Sequence, residues 1–241
     1  MGMTPQPNGE YPAYLEIGYD GRWILAHFFI LLGCVTKGEY ELDVQEKARD
    51  DVERYLTFLG KYGEEISNFP PPRKVVVVER FHCKNEGGYE INATFSLDKT
   101  SLSSEEITRY LRWHGYAREE LFHLLAGIPK EVYAWHPEKG KRCLRETLEH
   151  IAGAELWYIT RLEENPSSAL YAAQPKEAVE RLHYSRKILV SRFQGLPDSQ
   201  AGIERVHSGE TWTPRKVLRR ALEHQQEHLN SIRLFLGQYM I

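Results

Sequence analysis

The chain has 241 residues, 41% of them apolar and 27% charged, with a formal net charge of −3. That suits one large or two small globular domains with a real core. It leaves no basic excess for nucleic acid and no acidic block of the kind found in disordered tails. Cys34, Cys83 and Cys143 are too few and too scattered for a disulfide framework, so a reducing cytoplasm is the expected location. The opening "MGMTPQPNGEYPAY" lacks the basic and apolar regions of a signal peptide. "WILAHFFILLGCV" is too short to span a membrane and carries His27, so a buried strand is expected there.

The first hundred residues change period often. Tyr14–Tyr19 and Trp23–Leu32 read as strands, with a hairpin turn at Asp20-Gly21, and Gly33 and Gly38 end the block. Val44 to Tyr62 has helical spacing, with Val44, Ala48, Val52, Tyr55, Leu56 and Leu59 on one side. "NFPPPR" breaks it. "KVVVVERF" predicts a buried strand, "NEGG" a turn, and "YEINATFSL" a further strand. Residues 1–100 thus read as a small α+β domain.

Residues 101–241 read as purely helical. Ser103 with Glu106 predicts a capping box. From there Ile107, Leu111, His114, Arg118, Leu121 and Leu125 form one stripe, stopped at Gly127-Ile128-Pro129. Further helices are predicted over about Lys141–Glu164, about Pro175–Gln194, and from Thr213-Pro214 to about Gln238. Four such helices suggest an antiparallel four-helix bundle.

In the last helix, Val217, Ala221, His224, His228, Ile232, Phe235 and Tyr239 share a face at about 100° per residue. Arg215, Lys216, Arg219, Glu223, Glu227 and Arg233 fall elsewhere on the wheel. Side chains four apart lie about 6 Å from each other on a helix, and two imidazoles so placed can converge on one cation. Two core histidines bonded to tyrosine or backbone would fit the same pattern. His150, in "LRETLEHIAGAELWYITRL", is the best third ligand; it lies about 100° from its helix's stripe (Leu144, Leu148, Ile151, Ile159, Leu162). It would equally suit a half-exposed histidine near Trp157.

"LEHIAGAELWYITRL" and "TWTPRKVLRRALEHQQEHLNSIRLFLG", in this helical order, resemble the DinB-like (DinB/YfiT) superfamily over about residues 103–241. The resemblance implies a four-helix bundle whose metal is held by one histidine of the second helix and an H-x-x-x-H pair of the last. Those positions are His150, His224 and His228. It further implies metal activation of a low-molecular-weight thiol such as bacillithiol, mycothiol or glutathione. The expected activity is then a metal-dependent thiol S-transferase acting on a small molecule. The alternatives are a non-catalytic stress-response or binding protein with a structural metal, and a metal-dependent hydrolase. Three imidazoles suit zinc or nickel, and another first-row divalent ion besides.

Arg118 and Glu155 are polar residues at inward stripe positions. They form either a structural ion pair or catalytic groups, Arg118 holding an anionic substrate or thiol carboxylate and Glu155 orienting a ligand or moving a proton. His114 reads as a core histidine, and Cys143 as a small apolar residue at a helix start. "HQQEH" matches the H-x-x-E-H string of inverted zinc peptidases, but Glu227 points about 100° from His228 and no downstream glutamate ligand follows. "GRWILAHFFILLGCVTKGEYELDVQEKARDDVERYLTFLG" resembles the HicB-like antitoxin domain over about residues 14–97, which implies a degenerate ribonuclease-H-like fold used for protein contacts. The expected partners are a small-molecule substrate and a second copy of the chain, with neither nucleic acid nor membrane.

Overall fold

A computed structural model describes residues 8–239. The first seven residues of the "MGMTPQPNGEYPAY" stretch read for a leader therefore lie outside the described residues. The chain divides into two compact units. One holds residues up to Thr100 together with Val206–Trp212, the other Ser101–Arg205 and the chain from Thr213 onward.

The first unit is α+β around a mixed four-stranded sheet. Its strands are β1 (Glu10–Ile17), β2 (Ile24–His27), β3 (Val35–Gly38) and β4 (Lys74–His82), in the order β3-β2-β1-β4. β1 and β2 pair antiparallel through Tyr14↔His27 to Ile17↔Ile24, and Gly21 in the turn between them has a φ of +69°. β3 adds antiparallel to β2. β4 runs parallel to β1, which requires a crossover, and helix α1 (Glu41–Lys61) supplies it. The buried residues of α1 are the six of the predicted stripe, and the helix packs on β2, β3 and β4.

Several strand expectations are corrected. The apolar run from Trp23 is buried, but only Ile24–His27 is strand; Phe29–Leu31 is a 3₁₀ turn. β4 is half exposed, with Val78 at the surface, because it is an edge strand paired only to β1. "YEINATFSL" contributes a short strand, β6 (Tyr89–Ile91), paired with β5 (Lys84–Glu86) across the predicted turn. His27 is fully buried and lies 2.9 Å from Glu16 Oε2, a hydrogen-bonding carboxyl partner that the apolar run hides.

The second half is not purely helical. A hairpin of β7 (Arg205–His207) and β8 (Glu210–Trp212) interrupts it, turning at Ser208-Gly209 with both residues at positive φ. Tyr89 Oη donates to Glu210 Oε2 (2.7 Å) and Thr94 Oγ1 to the Thr211 carbonyl (2.8 Å), so the hairpin is built into the first unit.

The second unit carries α2 (Ser104–Leu125), α3 (Lys130–Ala134), α4 (Leu144–Thr160), α5 (Ala169–Ala172), α6 (Ala178–Gln194) and α7 (Pro214–Tyr239). α2 opens on the expected capping box, Ser103 with Glu106. α7 opens on Thr213, whose Oγ1 accepts from the Lys216 N–H at 3.1 Å. α4 is shorter than expected. Cys143 with Glu146 caps its start, and its end tightens into i→i+3 bonds from Arg161, Leu162 and Glu163. α4 packs on α6 and α7, and α2 on α7 and α6. No helix among the described residues is long and apolar enough to cross a membrane.

The first turns of α7 are buried all round. Arg215, Lys216, Arg219 and Glu223 are inside, with Arg215 Nη1 2.7 Å from Glu106 Oε1 and Arg219 Nη1 3.1 Å from Glu223 Oε2. A helical wheel separates this face from the apolar stripe, but it does not reveal that the face is covered as well.

Candidate metal centre

His224 and His228 stand one turn apart on α7, and His150 lies in the middle of α4, which packs on α7. All three are half-buried. Their Nε2 atoms converge: His224 to His150 is 3.0 Å and His228 to His224 is 3.1 Å. The rings meet edge-to-face at 4.4–4.9 Å between centroids.

Hydrogen bonding alone is a poor reason for this triangle. A neutral imidazole carries one N–H, so an Nε2 flanked by two others leaves lone pairs facing each other. Two nitrogens each about 2.1 Å from one cation stand about 3.0 Å apart at a right angle and about 3.4 Å apart at the tetrahedral angle, close to the 3.0 and 3.1 Å found. The groups are also in the right charge state. Burial holds His224 at about 2, far below the ordinary histidine value, with the charges of His228, His150, Arg220 and Arg142 acting the same way. Burial, then His150 and Arg142, holds His228 at about 4, and burial and Arg142 lower His150. Unprotonated nitrogens at neutral pH are what a divalent ion requires. The donor set therefore fits a first-row divalent cation.

The environment has two further features. Arg142, exposed just before α4, depresses the basicity of all three imidazoles, so its guanidinium lies within electrostatic reach of the cluster. Trp135 packs edge-on against Phe235 (5.1 Å) and Tyr239 (5.3 Å), which continue the His228 stripe along α7.

Arg118 and Glu155 are brought together, with Arg118 Nη2 3.0 Å from Glu155 Oε2, both almost wholly buried. The pair belongs to a larger network. Arg186 Nε donates to Glu155 Oε1 (2.8 Å) and Ser185 Oγ to Glu155 Oε2 (2.5 Å). Gln225 Oε1 accepts from Arg118 Nη2 (3.2 Å) and Arg186 Nη2 (2.6 Å). Arg118 also donates to the Leu182 carbonyl and Arg186 to the His114 carbonyl. Residues of α2, α4, α6 and α7 are thereby tied at one level. Burial alone would raise the Glu155 carboxyl; the Arg186 and Arg118 charges and the Ser185 hydroxyl outweigh it and hold it at about 2. His114 is inside, as its stripe position predicts. Its Nε2 lies 3.0 Å from the Leu218 carbonyl, and burial with the Arg186 charge lowers it to about 3.

The sequence reading missed Arg186, Ser185, Gln225 and Arg142. Arg186 was within reach: Leu182, Arg186, Leu189 and Phe193 have helical stripe spacing, the signal that singled out Arg118. Gln225 carried no such mark, because it stands beside the stripe of its own helix.

Comparison with curated proteins and with solved structures finds no match. The HicB-like resemblance of the first hundred residues is unsupported, since the family-model match begins at residue 115. That match, to the DinB superfamily, spans residues 115–232 and takes in His150, His224 and His228, so the helical part of this chain is DinB-like.

Proposed function

We propose that α2, α4, α6 and α7 form a four-helix bundle of the DinB kind, and that His150, His224 and His228 hold a divalent transition metal, zinc or nickel, in a metal-dependent thiol S-transferase. The observation that carries this reading is the convergence of three Nε2 atoms from two helices to 3.0 and 3.1 Å. A divalent ion there supplies Lewis acidity, enough to keep a low-molecular-weight thiol ionised at neutral pH.

The chain's own residues supply the remainder. Three protein ligands leave positions open for substrate. Arg142 is an exposed residue whose charge reaches the cluster, and it suits the anionic group of a small substrate or thiol. Trp135, Phe235 and Tyr239 offer an apolar wall for the electrophile's body. Arg118 has protein partners on its whole fork, so the anion-holding role passes from it to Arg142. Arg118 and Glu155 act as positioning residues, through Gln225, which immediately follows His224.

Conjugation of a small electrophile by the full chain loaded with metal tests the proposal. Activity should require added thiol and vanish in His228→Ala. Arg142→Ala should raise KM for anionic substrates and leave kcat nearly unchanged, as loss of uniform binding does. Metal-dependent turnover without any thiol would replace this reading with a hydrolase. A loaded protein inert towards all electrophiles would leave a binding protein.

A further inference from the structure

One turn of α4 before His150, a second group of donors of three chemical kinds gathers. Cys143 is the N-cap of α4, Glu146 lies in its first turn, and His136 comes from the segment after α3. One potential ligand atom of each falls within 4.8 Å of the others. His136 Nε2 is 3.3 Å from Glu146 Oε2, with both side chains about half exposed and the cysteine buried. Glu146 accepts from the backbone N–H of Cys143 at 2.9 Å and from its thiol.

Helix capping accounts for part of this arrangement only. Serine, threonine, aspartate or asparagine serve as N-caps in preference to cysteine. His136 takes no part in the cap and arrives from a separate segment. Sulfur, imidazole and carboxylate together form the mixed donor set that borderline divalent ions take, in contrast to the all-oxygen sets of magnesium and calcium. We infer that His136, Cys143 and Glu146 form a second binding site for a zinc-class divalent cation, separate from the three-histidine cluster. The ion enters between the two exposed side chains onto the sulfur. The Cys143 S–H proton leaves to solvent, and the sulfur lone pair it frees makes the bond to the ion.

Cobalt(II) titration of the metal-free full chain tests this, because a thiolate ligand gives a near-ultraviolet charge-transfer absorption that imidazoles do not. Two equivalents are expected, one of them with that absorption. Cys143→Ser should lose the absorption and one equivalent. It should stay folded, since serine is the better N-cap. His136→Ala, a change at an exposed side chain, should weaken the same equivalent at least tenfold. His224→Ala should keep the absorption and lose the other equivalent, so the fates of the two sites are read separately. A titration with no thiolate absorption, or one unchanged in Cys143→Ser, overturns the inference whatever happens at the histidines.

Discussion

Replacing His224 with alanine is expected to remove about one equivalent of metal from the purified protein, read by elemental analysis against the unaltered chain. His224 Nε2 lies 3.0 Å from that of His150 and 3.1 Å from that of His228, so it touches both other ligands. Its loss leaves His150 and His228 without the nitrogen that lies between them. Losing only an outer partner of a metal ligand costs roughly 10–100-fold in affinity, and losing a ligand should cost more. The fold should survive, because the side chain is half-buried and alanine favours a helix interior. A His224→Ala protein that keeps its full metal content would refute the three-histidine site.

Glu155→Ala should be the most destabilising single change in the helical unit, by about 3–5 kcal/mol. Among the described residues the carboxylate supplies the negative charge at the buried guanidinium groups of Arg118 and Arg186, whose other partners are carbonyl and amide oxygens. Removing it strands two buried cations. Thermal unfolding should fall by roughly 6–20 °C for a domain of this size. Because the carboxylate acts through Arg186, Arg118 and Gln225, the folded fraction should still bind metal at the histidines. A Glu155→Ala protein of normal stability that has lost only turnover would instead make Glu155 a catalytic group.

The same buried layer sets the acid limit of the fold. His114 is held at about 3, below the ordinary histidine value of 6.5. Its contribution is therefore complete above pH 6.5 and is lost as the pH falls from there towards 3. Glu155, at about 2 against 4.5, contributes fully above pH 4.5 and loses that contribution as the pH falls towards 2. Stability measured by urea unfolding should thus decline below pH 6.5 and more steeply below 4.5. His224 and His228 add to the first phase in metal-free protein. A flat profile between pH 7 and 5 would mean that these imidazoles are not buried unprotonated.

How much of this was legible follows from what each signal encodes. Period and capping are local properties, so the stripe of α1, the capping box of Ser103 and Glu106, and the start of α7 at Thr213 all read directly. The His224 and His228 pair read too, because polar residues that interrupt an apolar stripe need a partner, and a spacing of four puts two of them on one face; His150, off the stripe of its own helix, came with the DinB-like resemblance. The edge position of β4, the capture of β7–β8 by the first unit, and the burial of Arg215, Lys216, Arg219 and Glu223 did not. Each depends on what covers a face, and the neighbour is distant in sequence.

The sequence by itself determined the long helices of the second half, the shared face of His224 and His228, and the inward positions of Arg118 and Glu155, leaving open whether those two pair. Only the tertiary structure decided that Arg118 and Glu155 pair and that Arg186 and Gln225 complete their coordination, that Arg142 comes within electrostatic reach of the histidine cluster, and that His136 meets Cys143 and Glu146. The physical reason is that a helix's own periodicity fixes which way a side chain points. The partner that satisfies its charge or lone pair comes from another element, and the packing of the elements selects it.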